Sequence, residues 1–178
     1  MRKVVLTEFL SLDGVAEDAH KFTFDWDDVV DAHGENVIAT QDAVILGRRT
    51  YEDWAAFWPT SEIEPFATFI NKAPKYVAAS TPLEQDWDNT IKIDGDLAEF
   101  VQDLKNSTGG DIGIHGSISV AQSLLAAGLV DVAHFAIPPV IAGQGRRLLE
   151  GLPMIRLELL HGVASPTGFL VASYRVLH

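Results

Sequence analysis

Apolar residues along this chain come in short runs separated by turn residues, a pattern typical of strands that alternate with helices. The apolar runs predict strands over residues 3–10, 43–46, 75–79, 90–93, 112–114, 129–137, 155–163 and 168–176. Apolar positions at helical spacing predict helices over residues 27–40, 48–57, 64–71 and 97–105, and one more that starts at residue 116 or 117 and ends at Gly128. Residues 15–25 follow neither period and are predicted to form an irregular loop.

Strands that alternate with helices favour a parallel sheet, since each crossover lays a helix against a sheet face. The last two strands are joined by residues 165–168, Ser-Pro-Thr-Gly, which predict the turn of a hairpin. A length of 178 residues fits one domain. We therefore expect a single α/β domain over residues 1–178, with a mixed, mostly parallel twisted sheet, helices on both faces and a C-terminal antiparallel hairpin.

Two of the predicted strands end at a glycine that is followed directly by a helix. The first junction consists of Gly47, Arg48, Arg49 and Thr50, and the second consists of Gly116, Ser117, Ile118 and Ser119. The start of a helix offers unpaired backbone N–H groups and a partial positive charge. Because two guanidinium groups add to this charge, the first junction predicts an anion site, most simply for phosphate. Two such junctions in one small domain indicate a bound nucleotide.

The amino-acid composition of the chain argues against several classes of binding partner. The chain carries 25 acidic and 13 basic residues and a net charge of −12, which disfavours binding to nucleic acid or anionic membranes because attraction to phosphate needs basic residues in excess. No apolar run approaches the roughly 18 residues of a membrane span, and Glu8 interrupts the first run too early for a signal peptide. The chain has no cysteine, which excludes thiolate chemistry and is compatible with the cytoplasm. No His, Asp or Glu set has metal-ligand spacing, so no metal is expected.

Six short segments point to a known family, because they occur in that family's order and span nearly the whole chain. They are residues 11–14 (SLDG), 46–52 (LGRRTYE), 76–81 (YVAAST), 109–117 (GGDIGIHGS), 125–131 (LAAGLVD) and 139–148 (PVIAGQGRRL). In this ordered set the chain resembles the dihydrofolate-reductase-like family, and most of all the branch with the reductase domain of bifunctional riboflavin-biosynthesis enzymes. The resemblance implies a three-layer fold and an NADPH-dependent reductase of the dihydrofolate-reductase or 5-amino-6-(5-phosphoribosylamino)uracil-reductase type.

The resemblance also implies which residues hold the cofactor. In that family the first junction holds cofactor phosphates, which here implies Gly47, Arg48 and Thr50, with Arg49 beside them. Ser80 and Thr81 correspond to the pair on the adenosine side, and the pyrophosphate-binding helix start corresponds to Gly116, Ser117, Ile118 and Ser119. NADPH is the expected cofactor. NADH stays open because Pro82, Leu83 and Glu84, rather than a basic residue, follow Thr81.

The substrate expected from the resemblance is a small pterin-like or pyrimidine-like heterocycle. Residues 25–40 contain acidic side chains but lack the proline-led context in which folate reductases carry their pterin-binding acid. A flat ring would stack well on the aromatic side chains beside the expected pocket, which are Phe22, Phe24, Trp26, Trp54 and Trp58. Core packing explains Trp54 and Trp58 at least as well.

Asp13 is the candidate catalytic residue, because its position in the family is near the nicotinamide. Asp27, Asp28 and water are the other candidate proton donors for reduction of a C=N bond. His115, directly before the second junction, is interpreted as a structural residue.

Two further functions remain open at this point: a non-catalytic nucleotide-binding protein that keeps the cofactor site but lacks a substrate site, and a structural α/β module that binds no nucleotide. We also expect a homodimer, both from the family and from the apolar residues 169–174. An exposed apolar edge strand tends to be paired or covered.

Overall fold

Eight strands form one sheet in the computed structural model, which describes all of residues 1–178. The strands are β1 Val4–Phe9, β2 Gln41–Gly47, β3 Lys75–Ala78, β4 Thr90–Ile93, β5 Asp111–His115, β6 Val132–Ile137, β7 Arg156–Ala164 and β8 Leu170–Leu177. The helices are α1 Asp28–Ile38, α2 Arg48–Phe57, α3 Phe66–Lys72, α4 Leu97–Asn106 and α5 Ile118–Ala126, with short 3-10 turns at Ala19–Lys21 and Trp58–Thr60. All the predicted strands and helices are present, although their bounds shift by a few residues.

The strand order across the sheet is β4-β3-β2-β5-β1-β6-β8-β7. Neighbouring strands from β4 to β6 are parallel, whereas β8 runs antiparallel to both β6 and β7. The mostly parallel sheet and the C-terminal hairpin are therefore confirmed.

β6 begins at Val132, later than the apolar run over residues 129–137 predicts. Leu129 and Val130 are buried in the core but lie before the strand. The next residue, Asp131, accepts a hydrogen bond from the backbone N–H of Val4 at 2.7 Å and so fastens the entry of β6 to the start of β1. The apolar run thus combines a core segment with the strand that follows it.

Successive residues of a strand face opposite sides of the sheet, and each side has its own core. On one side Leu6, Ile45 and Ile114 of the central strands pack with Ala121 and Leu124 of α5. α4 contributes to the same cluster, so that α4 and α5 form the layer on this face.

The opposite side of the sheet carries α1, α2 and α3. Val44 and Leu46 of β2, which alternate with Ile45, pack against Tyr51 of α2 and Ile70 of α3. α1 lies over β6 and β8 on this face. The sheet is thus the middle of three layers, as the resemblance implied.

The C-terminal hairpin corrects one expectation. β8 lies between β6 and β7, and Phe169 and Val171 are buried, so residues 169–174 do not form an exposed edge. The edge strand is β7, whose nine residues are all exposed. The sequence could not show which strand of the hairpin pairs with β6, since both strands are apolar.

Candidate functional site

The two glycine junctions meet at the carboxyl edge of the sheet. They follow β2 and β5, which are parallel neighbours with Ile45 paired to Ile114. The backbone N–H of Gly47 donates to Ser117 Oγ at 2.9 Å, and Thr50 Oγ1 donates to the carbonyl of Gly116 at 3.1 Å. The starts of α2 and α5 are therefore joined to each other directly.

Neither of these two helices has a side-chain cap. Gly47, which precedes α2, has no side chain, and the buried hydroxyl of Ser117 accepts from Gly47 instead of from the first turn of α5. In contrast, the side chains of Asp27 and Asp96 cap α1 and α4. The first-turn N–H groups of α2 and α5 thus lack a side-chain acceptor at the point where the helices meet, an arrangement that suits an anion.

Both the backbone conformation and the neighbouring side chains require a glycine at position 116. Its φ angle is +63°, in the left-handed region that favours glycine. A Cβ atom at this position would lie 3.3 Å from Cζ2 of Trp54. The close approach of α2 to the end of β5 therefore depends on the absence of a side chain at residue 116.

Arg48 and Arg49 project from the first junction, with 45% and 69% of their side chains exposed. Arg48 lies 3.9 Å from Glu84, and Arg49 lies 3.2 Å from Glu17. Exposed ion pairs of this kind contribute little to stability, so both guanidinium groups can exchange a carboxylate for a phosphate at small cost.

A third arginine, which the sequence reasoning did not assign, reaches the second junction. Arg146, in the loop after β6, donates from Nη2 to Ser119 Oγ at 3.0 Å, and its backbone N–H donates to Glu17. The signal for it was present, because the loop contains the pair Arg146-Arg147 in a chain with a large acidic excess.

Ser80 and Thr81 lie beyond the end of β3, the other neighbour of β2. Gly47 is paired with Ala78 in this ladder, so that the segment after Ala78 reaches the same edge as the first junction. The predicted cofactor residues therefore all lie at one edge of the sheet.

Asp13 fastens the loop after β6. Its carboxylate accepts hydrogen bonds from Ser11 Oγ at 2.7 Å, from Ala142 N–H at 2.9 Å and from Gly143 N–H at 3.0 Å. These bonds, that from Ser11 above all, lower the pKa of Asp13 to about 2. The side chain is thus ionised at neutral pH and has no proton to donate, so its surroundings favour a positioning role over the catalytic role expected from the sequence.

Asp27 is engaged in a similar way at the start of α1. It accepts from the N–H groups of Val29 and Val30 and from the hydroxyl of Thr167. Burial acts to raise its pKa, but hydrogen bonds from Ser165 and Thr167 outweigh it and hold the pKa well below the usual range. Asp27 is therefore also a carboxylate, and not an acid, at neutral pH.

The aromatic side chains do not form one surface. Trp54 and Trp58 lie 5.8 Å apart between ring centroids and pack against Phe66. Trp26 is 45% exposed, and its ring centroid is 5.0 Å from that of Phe9 at the end of β1. Trp26, which packs on Phe9, is thus the member of this set that borders the carboxyl end of β1.

A cluster of neutral polar side chains lies on the face of the sheet that α1 and α3 cover, and we call it the histidine face. It consists of Thr7, His33, His115, His134 and Ser173. Thr7 is paired in register with His115 on one side and with His134 on the other, and His134 is paired with Ser173. His33 of α1 lies over this row, with its ring centroid 5.2 Å from that of His134.

The histidines of this face are held neutral. Burial lowers the pKa of His115 and of His134 to about 4, and burial also lowers the pKa of His33. His115 donates from Nε2 to Gln41 Oε1 at 2.8 Å, and His134 Nδ1 lies 2.7 Å from Ser173 Oγ. The face therefore presents hydrogen-bonding groups without net charge.

Sequence reasoning missed this face, apart from the structural interpretation of His115. A partial signal exists, because Thr7 and His134 are polar residues inside otherwise apolar strand runs. The residues come from four strands and one helix, so only the strand register brings them together.

Glu8 points to the other side of the sheet from Thr7. It is 4% exposed and lies opposite Phe135 of β6. Its Oε1 atom is buried without a hydrogen-bond partner, and burial raises the pKa of Glu8 to about 8. The side chain is therefore a neutral carboxylic acid at pH 7.

Three layers, with two glycine-led helix starts joined at the carboxyl edge of the sheet, define a protein of the dihydrofolate-reductase-like fold. A putative riboflavin biosynthesis protein from Shewanella sp. PV-4 superposes with a TM-score of 0.79 at 17% identity, over 99% of each chain. Dihydrofolate reductase from Enterococcus faecalis, complexed with NADP(H) and RAB-propyl, has a TM-score of 0.65 at 14% identity, over 99% of this chain and 97% of that chain. At these identities the likeness establishes the fold.

The family follows from the sequence match. Residues 2–171 match the family model of the RibD C-terminal domain, and the chain belongs to this family. The uncharacterized protein YyaP of Bacillus subtilis is 28% identical over 179 residues, which cover 97% of this chain and 94% of YyaP. The resemblance drawn from the six ordered segments is confirmed.

Two further properties of the structure bear on partners. No helix is both long enough and apolar enough to cross a membrane. No group of three or more His, Asp or Glu side chains is arranged to hold a metal ion.

Proposed function

We propose that this protein is a reductase that transfers a hydride from NADPH to a small pyrimidine-like or pterin-like heterocycle. The observation that carries the proposal is the direct joining of two uncapped helix starts, through the bond from Gly47 to Ser117, beside two exposed arginines. Membership of the RibD C-terminal domain family and the likeness to an NADP(H)-bound dihydrofolate reductase support the same cofactor.

The residues at this edge fit a dinucleotide. The N–H groups at the starts of α2 and α5, with Arg48 and Arg49, would hold the phosphates. Ser119, whose oxygen accepts from Arg146, would add a hydroxyl donor, and the segment at Ser80 and Thr81 would lie along the adenosine. The bound cofactor would supply the hydride, and the protein would position the two rings and exclude water.

The proton that accompanies the hydride would come from a group other than Asp13 or Asp27, because both are ionised at neutral pH. Because Asp28 is exposed on α1, a bound water is the donor that remains from the original set. The loop that Asp13 fastens to the edge of the sheet would help to shield the site from solvent.

One observation favours the alternative of a nucleotide-binding protein without catalysis. α1 turns Val30 and Val37 towards the sheet and leaves Asp28 and Asp31 exposed, so it presents no carboxylate to a pterin. A protein of this kind would bind the cofactor but would not oxidise it with any heterocycle.

Thermal unfolding with NADPH and NADH tests the cofactor proposal. A ligand at 100 times its Kd adds about 2.7 kcal/mol of stability. Arg48→Ala should weaken NADPH binding by at least about 1 kcal/mol because it removes a charge-assisted contact. The control is Arg156→Ala, an exposed arginine on β7 that should leave binding unchanged.

Equal NADPH affinity in the wild type and Arg48→Ala would show that the first junction is not the phosphate site. Oxidation of NADPH with a panel of pterins, pyrimidines and quinones then separates the two functions. Binding with no turnover across the panel would favour the non-catalytic alternative.

We further propose that β7 mediates a homodimer. It is an edge strand that pairs with β8 on one side only, and it exposes Leu157, Leu159, Leu160 and Val163. Such edges tend to be covered by another chain. Leu159→Glu should shift sedimentation towards monomer, whereas Ile91→Glu on β4, the opposite edge, should not. A wild-type monomer at all concentrations would contradict the dimer.

A further inference from the structure

Glu17 places a carboxylate at the edge that is proposed to bind the cofactor phosphates. Its Oε1 atom accepts a hydrogen bond from Arg49 Nη1 at 3.2 Å, and its Oε2 atom accepts one from the backbone N–H of Arg146 at 3.2 Å. A guanidinium group and a backbone N–H are also donors that hold phosphate oxygens in proteins. The carboxylate of Glu17 therefore occupies donors that suit a phosphate.

The loop after β6 fixes the position of Glu17. The backbone N–H of Glu17 donates to the carbonyl of Arg146 at 3.3 Å, so the backbone and the side chain of Glu17 are bound to the same residue. Gly145 permits this close approach, because its φ angle is +113° and a Cβ atom there would lie 2.7 Å from Cγ1 of Val15. Only 25% of the Glu17 side chain is exposed. The carboxylate is thus part of the site.

The neighbouring pair of Arg48 and Glu84 differs from the pair of Arg49 and Glu17. The charged groups of Arg48 and Glu84 lie 3.9 Å apart, which is too far for a hydrogen bond, and 78% of the Glu84 side chain is exposed. Solvent screens an exposed ion pair of this kind. Arg48 is therefore available to an anion, whereas Arg49 is already engaged by a carboxylate.

Arg146 connects Glu17 to the second junction. Its Nη2 atom donates to Ser119 Oγ at 3.0 Å, at the start of α5, where the proposed function places the pyrophosphate of the cofactor. A pyrophosphate between the two junctions would reach Arg49 while Glu17 is bound to it. Since two negative groups on one guanidinium repel each other, the ligand has to displace the carboxylate.

We propose that Glu17 is an internal competitor for the pyrophosphate group of the dinucleotide. It engages Arg49 in the free protein, the pyrophosphate displaces it, and its charge determines how tightly the edge binds the ligand. The inference rests on the proposed function, since it concerns the same edge. Because NADPH and NADH share the pyrophosphate, the competition weakens the binding of both to the same extent.

Isothermal titration calorimetry with NADPH, NADH and inorganic pyrophosphate measures the competition. Glu17→Gln keeps the shape of the side chain and removes its charge. It should tighten the binding of all three ligands about three- to fivefold, the scale of a partly exposed ion pair. Glu84→Gln makes the same change beside Arg48 and is the matched control. It should change the affinity for pyrophosphate by less than about twofold, because Glu84 is exposed and screened.

A double-mutant cycle shows whether the effect acts through Arg49. Arg49→Ala should weaken the binding of pyrophosphate. Glu17→Gln added to Arg49→Ala should then bring no further change, because the carboxylate no longer has a guanidinium group to compete for. An equal gain in both backgrounds would show that Glu17 acts only by long-range repulsion, and it would overturn the proposal. Melting temperatures of the ligand-free variants confirm that each one folds.

Unchanged or weaker binding of NADPH and pyrophosphate to Glu17→Gln would also overturn the proposal, because Glu17 would then position Arg49 for the ligand instead of competing with it. A gain for NADPH without a gain for NADH would overturn it as well, since the 2′-phosphate would then be the displacing group. If neither the wild type nor Glu17→Gln binds any of the three ligands, the proposed function itself is contradicted. The two failures are thus distinguishable.

Discussion

Glu8 makes the stability of this protein depend on pH in a direction that can be tested directly. Burial raises its pKa from 4.5 to about 8. In the unfolded chain the carboxyl ionises near its ordinary pKa, whereas in the folded chain it stays protonated. Between these two values the unfolded state therefore binds fewer protons, and the free energy of unfolding falls as pH rises.

The size of the effect follows from the same two pKa values. Each pH unit within the window from 4.5 to about 8 removes about 1.4 kcal/mol, which sums to about 5 kcal/mol if the site does not relax. Relaxation around a buried charge reduces the figure, so we expect a loss of about 2–5 kcal/mol, against a total stability of about 5–15 kcal/mol for an ordinary domain.

Glu8→Gln keeps the shape of the side chain and removes the ionisation. Its free energy of unfolding should equal that of the wild type near pH 4.5 and exceed it by about 2–5 kcal/mol at pH 8. Urea unfolding at a series of pH values measures the difference, and an unchanged m-value shows that both proteins unfold from the same compact state. Glu35→Gln, an exposed site on α1, is the matched control.

A constant difference between Glu8→Gln and the wild type from pH 5 to pH 8 would refute the reasoning. It would mean that Glu8 ionises in the folded state at its ordinary pKa and that the substitution acts through packing alone. A variant less stable than the wild type at pH 8 would be a stronger contradiction.

Two further predictions concern the other side of the sheet and the second junction. In the Glu8→Gln background the free energy of unfolding should fall as pH drops from 6.5 towards about 4, because His115 stays neutral in the folded chain but becomes protonated in the unfolded chain. Adding His115→Asn should reduce that loss. Urea unfolding with the same pH dependence in both variants would contradict the prediction. Gly116→Ala should cost about 1–3 kcal/mol and weaken NADPH binding, because of its positive φ and the contact with Trp54. Gly34→Ala in α1, where a Cβ meets nothing within 4 Å, should instead be neutral or stabilising in the same melts.

The fold was predictable because two independent signals in the sequence, its apolar periodicity and its ordered family segments, agree. The alternation of apolar runs and helical spacing predicts the elements, and the six ordered segments predict how they connect. The bounds of β6 were not predictable, since Leu129 and Val130 are as apolar as the strand but serve the core before the ladder begins. The periodicity of apolar residues indicates which residues are buried, and buried residues can lie outside the hydrogen-bonded part of a strand.

The candidate cofactor edge was predictable for a similar reason. Each glycine junction is a local motif, and the parallel sheet brings the two motifs together. The role of Asp13 was not readable in the same way, because the groups that donate hydrogen bonds to its carboxylate include the backbone N–H groups of Ala142 and Gly143, which are far away in the sequence. An aspartate in a turn has the same appearance in the sequence whether it donates a proton or fastens a distant loop.

The adjacent residues Thr7 and Glu8 show what the sequence alone cannot specify. They stand side by side in β1, yet Thr7 faces α1 beside His134 and Glu8 faces the α5 side beside Phe135. Because both sides keep their polar groups neutral, the central strand adds no charge to the site despite the net charge of −12. The charged groups that the proposed cofactor phosphates would meet are then the arginines at the carboxyl edge. This division between a cationic edge and a neutral interior is the physical basis for proposing that the cofactor phosphates bind at the carboxyl edge.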